Sequence, residues 1–226
     1  MKLTVREAAK LLSVSESDVY HWVDAGEIPH LFINHTPLFN REELLEWATT
    51  RRMPLSVELF AEEGQHVVLA ETLKRGGIHH HVAGTDLQSC LRAVVGCLPI
   101  ENEDDRDLIL HIMLARESQA STGVGHGIAI PHVRAPIVFA GRPAAIALCF
   151  LENPVPFEAI DGEPVTTIFA MMTPTIRSHL QVLSHLAMAL HDAGFMAALN
   201  RRADAAVILA EARRVDEALA VQAPAK

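Results

Sequence analysis

Two apolar runs most constrain what this chain can fold into. Ala144 to Leu151 holds no polar residue, and Val165 to Met171 is interrupted only by Thr166 and Thr167. A strand with one wet face alternates apolar and polar residues, so runs this continuous predict strands buried on both faces, the first of them central. Asp161-Gly162 between them is a turn signal. Helical patterns surround the runs. Val67 to Lys74 predicts a helix closed by Gly76-Gly77. Asp86 starts another through Leu87, Leu91, Val94, Val95 and Leu98, which Pro99 stops. Asp104 to Ala115 forms the next. Beyond Pro174, Ile176 to about His191 predicts a long helix whose apolar face holds Ile176, Leu180, Leu183, Ala187 and Leu190. On that spacing His179 lies at the edge of the face and His185 on the opposite, solvated side. Ala205, Val207, Ile208 and Leu209 mark a closing helix, and Ala223 to Lys226 should fray.

Between these elements lies the stretch that carries chemistry. Arg116 to His132 reads R-E-S-Q-A-S-T-G-V-G-H-G-I-A-I-P-H. Ile128-Ala129-Ile130 predicts a short buried strand, and Pro131 stiffens the approach to His132. A neutral imidazole is a nucleophile near neutral pH. If it takes a phosphoryl group, cations and fixed donors must answer the charge on the oxygens. Arg116 offers a planar fork for them. Ser121 and Thr122 offer hydroxyls, and Gly125 and Gly127 would let backbone N–H groups approach a phosphate closely. The competing reading is a structural loop with an incidental histidine.

The run Ser121-Thr122-Gly123-x-Gly125-x-Gly127-Ile128-Ala129-Ile130-Pro131-His132 strongly resembles the active-site signature of the fructose/mannitol-type enzyme IIA domains of the bacterial phosphotransferase system, the nitrogen-regulatory branch above all. The resemblance covers roughly residues 66–220 and implies an α/β fold, a mixed β-sheet flanked by helices. It implies that His132 accepts a phosphoryl group from a histidine phosphocarrier protein and that Arg116 is the family's site arginine. His179-Leu180 matches the family's second active-site histidine, whose implied role is to orient the phosphorylated ring of His132. No metal and no organic cofactor are implied. Val133 departs from the pattern, since a small residue usually follows the histidine.

Residues 1–52 predict a separate small domain. Thr4 with Glu7 is a capping box that starts one helix, Ser15 with Asp18 marks the start of a second, and Val5, Ala8, Ala9, Leu11 and Leu12 give the first its apolar face. Asn34 and Pro37 mark turns in the segment that follows, and Asn40 caps a third helix with Leu44, Leu45 and Trp47. Val5-x-x-Ala8-Ala9-x-x-Leu12, Val19-x-x-Trp22, Gly26-x-Ile28-Pro29 and Glu43-x-x-x-Trp47 resemble the excisionase/MerR-type helix-turn-helix family, which implies a small, mostly helical winged domain. Ser17, His21 and Trp22 are its candidate DNA-reading residues. The charge argues less for DNA. The segment holds six Lys and Arg against eight Asp and Glu, and Glu16 to Ala25 has no Lys or Arg. Phosphate contacts need those cations. Weak operator binding and protein contact both stay open.

Residues 53–65 read as a linker or connecting helix, and 66–222 as the phosphotransferase-like domain. The formal net charge of −9 argues against general binding to nucleic acid or anionic membrane. Cys90, Cys97 and Cys149 lack metal-ligand spacing and read as free thiols. The early Arg6 and Glu7 argue against a signal peptide, and no apolar stretch reaches spanning length, so a cytoplasmic location is expected. His79-His80-His81 falls on a predicted strand from Ile78 to Val82. Neighbours there point to opposite faces, which favours an exposed edge strand over a metal site. Three functions follow from the resemblance: a regulatory phosphoacceptor signalling to a downstream protein partner, a phosphorylation-controlled DNA-binding regulator, and a sugar-uptake phosphocarrier to a separate IIB protein. All three are phosphohistidine carriers rather than small-molecule enzymes. The sequence leaves the oligomeric state open.

Overall fold

The computed structural model describes residues 2–33, 36–51, 53, 68–133 and 143–222. The expected connecting segment after Met53, the turn at Asn34 and the tail from Ala223 lie outside the described residues.

The N-terminal part runs β1 (Lys2–Leu3), α1 (Val5–Leu12), α2 (Glu16–Asp24), β2 (Leu31–Ile33), β3 (Thr36–Asn40) and α3 (Arg41–Thr50). Both expected starts are capping boxes. Thr4 accepts from the Glu7 N–H and Ser15 from the Asp18 N–H, while each N3 carboxylate reaches back to the cap. The strands make a small antiparallel wing, order β1-β3-β2. Pro37 is not a turn residue as expected but lies within β3, opposite Phe32. β1 reaches only Phe39 and Asn40 on the other side of β3, so the missing N–H of Pro37 interrupts no pairing there.

The rest runs α4 (Leu69–Gly76), β4 (Ile78–Val82), α5 (Leu87–Cys97), α6 (Glu103–Glu117), β5 (Gly123–Gly125), β6 (Ile128–Ala129), β7 (Ala145–Val155), β8 (Val165–Met172), α7 (Ile176–His191), α8 (Ala193–Asn200) and α9 (Ala205–Gln222). The sheet order is β4-β7-β8-β6-β5. β4 and β7 are parallel, β7 and β8 antiparallel, β8 and β6 parallel, β6 and β5 antiparallel, so the sheet is mixed.

The apolar runs explain the layers. On β7, Ile146, Leu148 and Phe150 join one core with α4, α7, α8 and α9. Ala145, Ala147, Cys149 and Leu151 point the other way into a core with α5 and α6. The alternation is that of any strand, but both faces meet helices. α4 crosses β7 so closely that a methyl at Gly76 would lie 2.2 Å from the Ile146 carbonyl. Its N-cap, Val68, has no side-chain acceptor, and Asp216 of α9 supplies one instead, taking the N–H groups of Leu69 and Ala70 at 3.0 Å each.

α7 is buried on two sides. Leu183, Leu186 and Leu190 face the sheet, whereas Leu180 and Ala187 join the N-terminal core with Leu44, Leu45 and Ala48. Ile176, expected on the apolar face, is exposed. His185, expected to be solvated, is largely buried instead, its Nδ1 3.0 Å from Asp216 Oδ1. The short α8 was not expected. Asp192 starts it by accepting from the Phe195 N–H. The three histidines from His79 to His81 do lie on an edge strand, with His80 and His81 exposed. No single helix among the described residues is long and apolar enough to cross a membrane.

Candidate functional site

The site lies at the carboxyl ends of two parallel strands. β6 runs beside β8, and the chain past β6 continues that pairing, with Met171 N donating to Pro131 O at 3.0 Å and His132 bridging to Met171. Open α/β sheets place ligands at this edge. β8 then leaves the sheet through Thr173. Thr175 caps α7 in a box with Ser178, which sets His179 on the first turn. His179 comes over His132 with ring centroids 5.0 Å apart. Its Nδ1 lies 3.4 Å from the Thr173 hydroxyl. Arg116 arrives on the last turn of α6.

Orientation is set locally. His132 Nδ1 lies 2.8 Å from the Ile130 carbonyl oxygen, which leaves Nε2 as the outward atom. Nε2 meets Glu46 Oε1 of α3 at 3.0 Å. The other Glu46 oxygen accepts from Arg116 Nη2 at 3.1 Å, and Arg116 Nη1 donates to Ala120 O at 2.7 Å. Arg116 Nε is buried and has no hydrogen-bond partner among the described residues. His132 is 4% exposed, His179 7% and Arg116 9%, with the Glu46 side chain at 10%, so the site is closed to solvent.

Glu46 was not expected at the site. It was one acid among eight in an acidic segment, and nothing in its own spacing marks it. Glu117, which the sequence brings to the site beside Arg116 without a role, takes the Thr122 N–H at 2.8 Å and hydroxyl at 2.6 Å on its two oxygens. Those bonds engage Thr122 in structure. The Ser121 hydroxyl is likewise engaged, donating to the Phe157 carbonyl and accepting from Gly123 N–H.

The expected phosphate cradle at Gly125 and Gly127 is not brought to His132. Gly123–Gly125 is strand β5, paired antiparallel with β6, and both glycines sit at the hairpin turn. Five residues of extended chain, about 16 Å, separate that turn from His132. The glycines serve the turn itself, with φ of +84° and +70°. A side chain at Gly125 would press on Asp161, whose carboxyl is held below its usual range first by the N–H of His126 and then by that of Glu163.

Of the DNA-reading candidates, Ser17 and His21 are exposed on α2. Trp22 is not free to read a base, because it packs edge-on against Trp47 at 5.2 Å. Glu46, His132 and His179 each bring one potential metal-ligand atom within 4.8 Å of the others, although no metal was expected. Two imidazoles and a carboxylate suit a zinc-like ion. The Arg116 cation on the same carboxylate opposes a second positive charge there.

A mixed sheet between helix layers, with a histidine pair at its carboxyl edge, defines the fold class. Residues 77–212 match the family described as phosphoenolpyruvate-dependent sugar phosphotransferase system, EIIA 2, and the chain belongs to that family. Residues 3–52 match a helix-turn-helix domain. Among curated relatives, the chain is 39% identical over 94 residues to a nitrogen regulatory protein of Pseudomonas aeruginosa, a match covering 40% of this chain and 58% of that protein. It is 38% identical over 89 residues to a fructose-specific EIIA component of the phosphotransferase system from Haloferax volcanii, covering 38% and 56%. The chain thus spans little more than half the length of either. The crystal structure of nitrogen regulatory protein IIA-Ntr from Neisseria meningitidis superposes with a TM-score of 0.55 at 27% identity, over 65% of this chain and 99% of that one.

Proposed function

We propose that this chain is a regulatory phosphoacceptor of a bacterial phosphotransferase system. A histidine phosphocarrier protein phosphorylates His132 reversibly, and the phosphorylation state is read by a downstream protein partner. In this reading residues 66–222 are the phosphotransfer domain, 1–52 the helix-turn-helix domain, and 53–65 the join. The observation that carries it is the ring orientation. The Ile130 carbonyl holds Nδ1, so Nε2 faces the corner where Arg116 and His179 converge. The nitrogen-regulatory names of the Pseudomonas and Neisseria relatives favour regulation.

The chemistry is a transfer between two imidazoles. The lone pair of Nε2 forms an N–P bond as the donor's P–N bond breaks, and that electron pair returns to the donor ring. No water enters and no cofactor is needed. The product carries about −2 charge at neutral pH. Arg116 answers it with a delocalised cation fixed in a dry site, where such a charge counts most. His179 is the residue assigned to orient the phosphorylated ring.

The fructose-specific name of the Haloferax relative favours a second reading, a carrier that passes the group to a IIB protein. A DNA-binding regulator is the weaker alternative, because α2 lacks Lys and Arg.

The test uses phosphoenolpyruvate, enzyme I, a histidine phosphocarrier and the purified chain, with His132→Ala as control. Acid-labile label on the wild type and none on the variant supports the acceptor. Failure of cognate donors to label both the wild type and a Glu46→Gln chain, in which no carboxylate meets the imidazole, refutes it. Onward transfer to a IIB protein would select the sugar-carrier reading.

A further inference from the structure

We propose that Glu46 is a gate on the phosphoacceptor. In the resting chain its carboxylate occupies the place of the phosphoryl group on His132, and phosphorylation expels α3, and the N-terminal domain with it, from the site. This rests on the phosphoacceptor reading above.

Glu46 fills the space that a phosphoryl group would take. Phosphorus bonded to Nε2 needs the space that Glu46 Oε1 fills, 3.0 Å from that nitrogen. Glu46 Oε2 takes the Arg116 N–H that would meet a phosphoryl oxygen. A carboxylate bridging the nucleophile and its cation stands in for two oxygens of a phosphoryl group.

The proton count points the same way. Nδ1 faces a carbonyl oxygen and Nε2 faces a carboxylate. With Nδ1–H given to the carbonyl, the Nε2 contact is a hydrogen bond only when one proton is shared between Nε2 and the Glu46 carboxyl. Whichever of the two carries it, the Nε2 lone pair is engaged and closed to phosphorus. Withdrawal of Glu46 removes that partner and frees the lone pair. The gate therefore blocks the reaction chemically as well as sterically.

Phosphorylation also changes the charge that Glu46 meets. Transfer adds about −2 within contact distance of Glu46. The site is nearly dry, so solvent screens this little. Arg116 cannot hold both anions equally, and the phosphoryl group, covalently fixed, displaces the carboxylate.

The contact also has the build of a reversible latch. α3 rests chiefly on α7, where Leu180 and Ala187 complete the apolar cluster of Leu44, Leu45 and Ala48, and it touches β5 at one side. The docked face is not the one expected to read DNA, since Ser17 and His21 of α2 stay exposed. What docking hides is the acceptor, and what opening uncovers is the apolar α7 face beside it. The donor reaches His132 only in the open fraction, so the transfer rate falls by that fraction.

The test compares full-length wild type with Glu46→Gln, which keeps the shape and removes the charge. The initial rate of labelling is read at limiting phosphorylated histidine carrier, with His132→Ala as the site control. Amide hydrogen exchange over α3 and the Leu180–Ala187 face of α7 is read in the wild type before and after phosphorylation, which requires no variant to fold. The expected results are labelling at least about tenfold faster in Glu46→Gln, and faster exchange over both segments once His132 is phosphorylated. Label on Glu46→Gln but none on the wild type would be the same gate held more tightly. Equal rates on His132, with exchange unchanged by phosphorylation, overturn the gate and leave the acceptor standing. No label on either chain overturns both.

Discussion

His132 and Glu46 are 86 residues apart in the chain, and their side chains meet at 3.0 Å. One belongs to the sheet edge and the other to the helix-turn-helix part, so the candidate site is built from both parts of the chain. The Arg116 guanidinium ties the pair together at 3.1 Å from the same carboxylate. Removing one member of such a buried group leaves a charge without its partner, which costs more than the pair itself contributes.

Arg116 is the first place to test this. Lysine keeps the charge but lacks the fork that reaches Glu46 and the Ala120 carbonyl at once. Arg116→Lys is expected to slow phosphoryl transfer to His132 by about a hundredfold, the scale of losing one fixed donor to a transition-state oxygen. Single-turnover labelling measures it. An unchanged rate would remove Arg116 from the transfer step.

Glu117 acts at one remove. It holds the N–H and hydroxyl of Thr122, and Thr122 in turn accepts from Ile130 N at 3.0 Å, two residues before His132. Glu117→Ala should cost about 3 kcal/mol, since it strands a buried N–H and hydroxyl. Denaturant titration reads the stability. The labelling rate should fall as well, because the strand that presents His132 loses its anchor.

Asp216 is a fold prediction independent of the site. It accepts from two N–H groups at the start of α4 and meets His185 Nδ1 at 3.0 Å. Asp216→Ala orphans those donors and should destabilise the chain by about 2–4 kcal/mol. Urea unfolding monitored by helical signal would show it. A loss below about 0.5 kcal/mol, the range of ordinary surface changes, would contradict the capping account.

The cysteines give a pH prediction. Cys149 donates its S–H to Cys97, which holds the Cys97 thiol below its usual value despite partial burial. Burial pushes Cys90 up to about 12, and Cys149 is raised by the same bond that lowers Cys97. The thiolate is the reacting form. Iodoacetamide at pH 7 should therefore mark Cys97 first. The rate should fall with acidification as its thiolate is protonated, while Cys90 stays unlabelled throughout. Peptide mapping by mass spectrometry decides the order.

Most of the fold was legible because its signals are local. The capping boxes at Thr4 and Ser15, the cap at Asp86 and the two apolar runs each announce an element within a few residues. His132, Arg116 and His179 were legible because they lie in one motif or one residue pair each. The misses depend on partners far along the chain. His185 looked solvated on the spacing of α7 alone, but α9 brings Asp216 to it. Pro37 looked like a turn, but a short neighbouring strand lets it sit in β3. Gly125 and Gly127 suggested an anion loop because flexible glycines serve tight turns and phosphate cradles alike, and only the β5–β6 pairing separates the two. Glu46 needed both domains in place at once, and no periodicity in α3 sets it apart from its acidic neighbours.

The central claim is that His132 takes a phosphoryl group on Nε2. Phosphorus and nitrogen NMR of the chain, phosphorylated by its histidine phosphocarrier and labelled with nitrogen-15 in histidine, reads this directly. The account predicts one phosphohistidine signal, coupled to Nε2 of His132, with Nδ1 still bonded to the Ile130 carbonyl, and no signal from His132→Ala. Phosphorus on Nδ1, on another of the histidines, or nowhere in the chain would contradict it.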